Sequence, residues 1–135
     1  MSMPSNFKVK VVGLSFVPSY PKNVYALNEA AEARRVDVPV WFEGEGRDME
    51  PIPVVLIRNP ANEHDANAIE VHIPTLGDYA MVGHIPAPVA KRLAPCLDAG
   101  EIWGANVYMV AIHPDHPENP GIHLSISKIG SDEPF

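Results

Sequence analysis

Fifteen prolines in 135 residues constrain this chain more than any other feature of its sequence. Proline fixes its own φ, lacks an N–H donor and pushes the residue before it out of the helical region. Spread along the whole length, the prolines favour many short elements over long helices, and so a mostly β fold with structured loops. Residues 7–16 read as a first strand, with Phe7, Val9 and Val11 on one side and Lys8 and Lys10 on the other. Gly13 inside it suggests a bulge or a close backbone approach. Residues 23–35 predict a helix with Val24, Leu27 and Ala31 in one stripe. Arg34 and Arg35 would close that helix at the negative end of its macrodipole. A short edge strand over 38–43 follows, marked by Pro39. The acidic 43–50 segment contains glycine but no Gly-Lys-Ser/Thr, so it reads as a hairpin connection rather than a phosphate loop.

The middle of the chain is the most patterned part. Val54, Val55, Leu56 and Ile57 form a β-branched and aliphatic run that Asn59-Pro60 stops. A polar turn carrying Asn62, His64, Asp65 and Asn67 follows. Ile69, Val71 and Ile73 then alternate with Glu70 and His72, the period-two mark of a half-buried strand. After a turn at 74–78, a strand is expected over 79–85 and a helix over 88–98. Its apolar stripe is Val89, Leu93, Cys96 and Leu97, with Lys91 and Arg92 on the wet face and Gly100 as the cap. Cys96 on that stripe reads as core, and Pro95 should bend the last turn. Residues 102–112 are apolar on both faces, as suits a strand in the middle of a sheet. An irregular loop over 113–120 and a last strand with Ile122, Leu124 and Ile126 complete a six- or seven-stranded barrel-like sheet.

Charge and chemistry narrow the function. Ten basic against seventeen acidic residues give a formal charge of −7, the wrong sign for gripping nucleic acid through a broad basic surface. A nucleic-acid role must then rest on a small local site. A single cysteine allows no internal disulfide, and no stretch approaches a membrane span or a signal peptide, so a cytoplasmic setting without membrane contact is expected. His113-x-x-His116 with Asp115 is the best metal candidate by spacing, but it lacks the four ligands of a structural zinc site. No serine elbow or catalytic carboxylate pair stands out, so neither an enzyme nor a cofactor is expected. The site singled out is His64-Asp65 with Asn62, set across from His84 at the mouth of a small barrel. Asp65 is also expected to cap the N–H groups of Asn67 and Ala68.

The pattern Leu56-x-Arg58-x-Pro60-x-Asn62-x-x-Asp65-x-Asn67-Ala68-Ile69-x-Val71, with Val82-Gly83-His84-Ile85 and a short helix after it, resembles the HIRAN domain. The resemblance runs from about residue 9 to about residue 128. It implies an OB-like or SH3-like small β-barrel with two short helices. It also implies one domain over 1–135: a core at 7–16 and 52–129, an insertion at 17–51 holding the first helix, and a tail at 130–135. HIRAN domains bind single-stranded DNA at a free 3′-hydroxyl end, alone or joined to helicase-type remodelling ATPases in replication-fork repair. By that resemblance Asp65 bonds the terminal sugar hydroxyl and His64 replaces the aromatic that packs on the terminal nucleotide. His84 matches the family histidine, Ala87 replaces a phosphate-binding lysine, and Lys10 stands roughly where another aromatic is found. Arg58 adds a cation beside this group. Two functions stay open: a stand-alone module for 3′-terminal single-stranded DNA, with a helicase-type partner, or a barrel that binds protein or small polar ligands and no DNA. A positive patch around His84, Lys10 and Arg58 favours the first; an exposed apolar groove or a free strand edge favours the second.

Overall fold

The computed structural model describes residues 3–13, 22, 26–27, 29–30, 51–113 and 115–131, the side chains of 78–79, 112–113, 116–120 and 131 excepted. Among the described residues six strands form one antiparallel sheet: β1 (Asn6–Lys10), β2 (Ile52–Arg58), β3 (Ile69–His72), β4 (Met81–His84), β5 (Glu101–His113) and β6 (His116–Ser131). Their order across the sheet is β1-β6-β5-β2-β3-β4. One α-helix, α1 (Ala87–Asp98), and a 3-10 helix, η1 (Pro74–Tyr79), complete the described elements. The fold is a mainly β, OB-like small barrel.

The alternation of the strands decides what lies inside. Val9, Leu124 and Val107 stand in one cross-strand row, and Val107 also meets Ile52. All four belong to the buried core, together with Val54, Ile69, Val71 and Ile126. Each such side chain withdrawn from water contributes about 1.5–3 kcal/mol, so this row dominates the stability of the sheet.

The two outer edges of the sheet meet. Beyond β1, the Val11 N–H donates to the Ile122 carbonyl at 2.9 Å, which carries the chain on along β6. Val12 then exchanges two main-chain bonds with His84 of β4, at 2.9 and 2.8 Å. The approach is so close that a Cβ on Gly83 would lie 2.6 Å from both Val11 Cγ1 and the Val12 carbonyl oxygen. Glycine at 83 is therefore a condition of closing the barrel. Gly13, at φ 75°, turns the chain out of this seam.

Helix α1 covers the core with Ala90, Leu93 and Ala94, while Val89, Cys96 and Leu97 pack partly buried beside them. The buried stripe is thus centred on Ala90 and Ala94 rather than on Val89 and Cys96, because small alanines let the helix lie closer. The helix runs through Pro95 to Asp98, and Gly100 at φ 90° follows as its cap. Asp98 ends the helix with the wrong charge for the macrodipole. Arg58 answers it: Nε and Nη2 donate to the two Asp98 oxygens at 2.9 and 3.1 Å, and Nη1 donates to the Ala68 carbonyl at 2.9 Å. These hydrogen bonds hold the Asp98 carboxyl below its ordinary range. The pair's small contribution is therefore present at neutral pH and fades as acid protonates Asp98.

Several expectations change. The first strand spans Asn6–Lys10 and continues as a single bridge at Val12, while residues 14–16 of the expected strand lie outside the described residues. The 79–85 strand shortens to Met81–His84 because η1 takes the residues before it. The expected 113–120 loop is instead the turn and start of β6, with His113 opposite His116. The register shifts there, so 117–120 bulge opposite residue 112, and Pro117 and Pro120 need no ladder partner. Gly130 and Ser131, expected in the tail, end β6. Of the predicted 23–35 helix, Ala26, Leu27, Glu29 and Ala30 are helical, as is Lys22 before it, and Leu27 is fully buried in the core. The rest of that helix, with Val24, Ala31, Arg34 and Arg35, lies outside the described residues, as do the 38–43 strand and the 43–50 connection. No described helix is long and apolar enough to cross a membrane.

Two outcomes are expected from this architecture. Gly83→Ala should destabilise the protein by about 1–3 kcal/mol through overpacking at the seam, read as a drop in denaturation midpoint at unchanged slope. Arg58→Met should lower stability by about 1 kcal/mol through its lost bond to Ala68, whereas Asp98→Asn at the exposed end should cost less. Thermal melting of the two variants side by side checks that order.

Candidate nucleic-acid interface

The β2–β3 connection is built by its own side chains. The Asn59 N–H donates to the Ala68 carbonyl at 2.9 Å and closes the loop at its base. Asn62 Oδ1 accepts from the N–H groups of His64 and Asp65, at 2.8 and 3.0 Å. Asp65 Oδ1 accepts from the Asn67 N–H at 2.8 Å, and the Asp65 main-chain carbonyl accepts from Ala68 at 3.0 Å. Asp65 thus caps Asn67 with its carboxylate but Ala68 with its backbone. Its second oxygen, Oδ2, has no hydrogen-bond partner among the described residues. The loop is a rigid frame that leaves the His64 side chain exposed and Asp65 half-buried.

His84 comes to the same end of the barrel, because the Ile85 N–H donates to the Ile69 carbonyl at 3.0 Å just past the loop. It stands opposite Glu70 on one side and Val12 on the other. Glu70 does not satisfy it. Glu70 Oε1 lies 2.9 Å from His72 Nε2, and Oε2 accepts from Asn59 Nδ2 at 3.0 Å. His84 Nε2 is buried with no hydrogen-bond partner among the described residues. Buried polar atoms are almost always paired, so this nitrogen marks a place where a partner is wanted.

The other candidates separate. Arg58 lies at the base of the same loop, but its guanidinium is engaged by Asp98 and Ala68 and anchors α1 instead of facing outward as a free cation. Lys10 is exposed on β1 opposite His123, two residues before Val12. Burial, with Lys10's charge as a smaller cause, pushes the His123 pKa down. Ala87 opens α1 and brings no charge. His113 and His116 face each other across the β5–β6 turn, their side chains outside the description. No group of three potential metal ligands exists among the described residues. Reading the sequence missed the Asn59–Glu70–His72 set beside His84. Its signal was available in the strand alternation, which puts Glu70 and His72 on one face.

Comparison with known proteins bears on the fold and the family. In its overall structure the chain is similar to the HIRAN domain of human HLTF, with a TM-score of 0.55 at 21% identity, over 95% of this chain and 78% of that one. It is also similar to a protein from Lactobacillus plantarum, with a TM-score of 0.53 at 20% identity, over 90% of this chain and 92% of that one. Both likenesses concern the fold. No curated protein matches the sequence. The family model of the HIRAN domain matches residues 5–127, nearly the whole chain, and the chain therefore belongs to the HIRAN domain family.

Proposed function

We propose that this domain is a non-catalytic module that binds single-stranded DNA at its free 3′-hydroxyl end. HIRAN domains are known as DNA-binding modules, and the finer reading rests on the site itself. The observation that carries it is the buried, unpartnered His84 Nε2 beside a loop whose Asp65 keeps one carboxylate oxygen unbonded. A terminal sugar hydroxyl is both donor and acceptor. It can donate a hydrogen bond to Asp65 Oδ2, and sugar or phosphate oxygens can accept from an N–H at His84 Nε2. The carboxylates of Asp65 and Glu70 make the pocket hostile to a phosphate placed at the same point. Exposed His64 supplies an imidazole for the terminal base to lie against. The same proposal takes in a cytoplasmic role in DNA repair or replication, alongside a helicase-type remodelling ATPase.

A second reading, a barrel that binds a protein or small polar ligand, draws on Val12, Val55 and Ile57, which are 42%, 47% and 41% exposed.

Fluorescence titration with 3′-hydroxyl and 3′-phosphate oligonucleotides decides between them. The hydroxyl-ended strand should bind more tightly. Asp65→Ala should weaken it roughly tenfold or more, the value of one charge-assisted bond, while narrowing the preference over the phosphate-ended strand. His64→Ala should weaken both strands alike, since stacking does not sense the end group. Equal affinity for the two ends would overturn end recognition, and no binding to either at low salt would leave the second reading.

A further inference from the structure

We propose that the outer face of β1, β6 and β5 forms a track for the nucleic-acid strand leading away from the bound end. In it Lys8 and Lys10 meet phosphates and Tyr108 with His123 offers a ring surface to a base or sugar. This inference rests on the function proposed above and extends its site along the barrel.

Register brings these residues together. Lys8 stands opposite Ser125 and Lys10 opposite His123 on β6, and Ser125 stands opposite Asn106 on β5. Between Val107 and Met109 the β5 ladder shifts, so Tyr108 is an extra residue. Such bulges re-aim a side chain, and here the ring reaches Lys8, whose ammonium lies 4.9 Å from its centroid. The His123 ring meets it in an edge contact at 6.2 Å and 61°.

The charge of this face opposes that of the whole chain. Its described positions in the three strands are filled by Lys, His, Ser, Asn, Tyr and Gly together with Met109, Ala111 and Ile129, and no carboxylate is among those described side chains. Glu101 and Asp115 lie at the two far ends of β5 and its turn. Elsewhere Arg58 is bound to Asp98 and Lys128 approaches Glu101. Lys8 and Lys10 have no carboxylate partner among the described residues, and both are exposed. In a protein of charge −7, two such cations on a face without described carboxylates make a local site for a polyanion.

Continuity with the seam chooses the polyanion. Lys8, Lys10 and Val12 alternate along one side of the same chain, and Val12 is bridged to His84. At the ordinary rise of a strand, Lys10 and Lys8 lie roughly 7 and 13 Å from Val12. A strand held at His84 and Asp65 can therefore run over Lys10 and then Lys8, with an aromatic beside its path, the usual arrangement for single strands.

The test compares a trinucleotide with a dodecamer, both single-stranded DNA with a free 3′-hydroxyl, and a dodecamer ending in a 3′-phosphate. Binding is followed by fluorescence anisotropy over a range of salt. The variant K8Q/K10Q, checked for an unchanged melting temperature, should lose less affinity for the trinucleotide, which covers less of the track, than for the dodecamer. It should bind the hydroxyl-ended dodecamer several-fold more weakly and lower its logarithmic salt slope by about 1.4, that is about 0.7 for each of two phosphates. Tyr108→Leu should weaken the dodecamer without changing that slope. Unchanged dodecamer affinity and slope in K8Q/K10Q would overturn the track, as would an equal loss for the trinucleotide. Competition by polyglutamate as effective as the dodecamer's own would overturn it in favour of an acidic protein segment. If the phosphate-ended dodecamer binds as well as the other and still depends on the lysines, the track stands and end recognition falls. A native protein that binds none of the three overturns both.

Discussion

One two-bond bridge, between Val12 and His84, holds this structure in the form it has. Without it the sheet is open, with β1 and β4 as bare edges and a row of unpaired main-chain groups on each. With it the outermost strands are joined, Gly83 is pressed against Val11 and Val12, and His84 is fixed in direction as well as position. The same residue whose backbone closes the barrel carries the buried imidazole nitrogen of the candidate site. Under the proposed function, closure and recognition are two uses of one residue. Whatever satisfies His84 Nε2 also favours the closed ring, because it binds only where that geometry exists.

Around this seam the polar network divides into frame and site. Asn62 and one oxygen of Asp65 shape the loop, Arg58 locks α1 to its base, and Asn59 with His72 holds Glu70 still. What stays available is small: one Asp65 oxygen, one His84 nitrogen and the exposed ring of His64. A site of few atoms held by many neighbours is preorganised, and it loses little entropy when a ligand arrives.

Much of this was legible in the sequence. The alternation Ile69, Val71, Ile73 reads directly as β3, and the prolines and short polar residues of 59–67 read directly as the turn, because both are local rules of backbone and side chain. The HIRAN resemblance, resting on those same residues, agreed with the family match. What was not legible was non-local. Nothing near Arg58 in sequence predicts Asp98 as its partner, forty residues away. Gly13 drew attention to close approach, but nothing in the sequence pointed to the crowding at Gly83, where a strand from the other end of the ladder arrives. Proline misled at 113–120, where a register shift absorbs residues that would break a regular ladder.

The strand order also dictates when the barrel can be made. β2, β3 and β4 pair with neighbours along the chain, and β5 folds back on β6, so these hairpins can form early. β1 cannot. Its ladder is with β6, Val9 against Leu124, so during synthesis β1 must wait until β6, more than a hundred residues later, has been made. During that wait it is an unpaired strand with apolar Phe7, Val9 and Val11 on one side. Lys8 and Lys10 on the other make it a poor template for a second chain. Those two lysines thus guard the nascent strand, a use separate from the one proposed for them in the folded barrel.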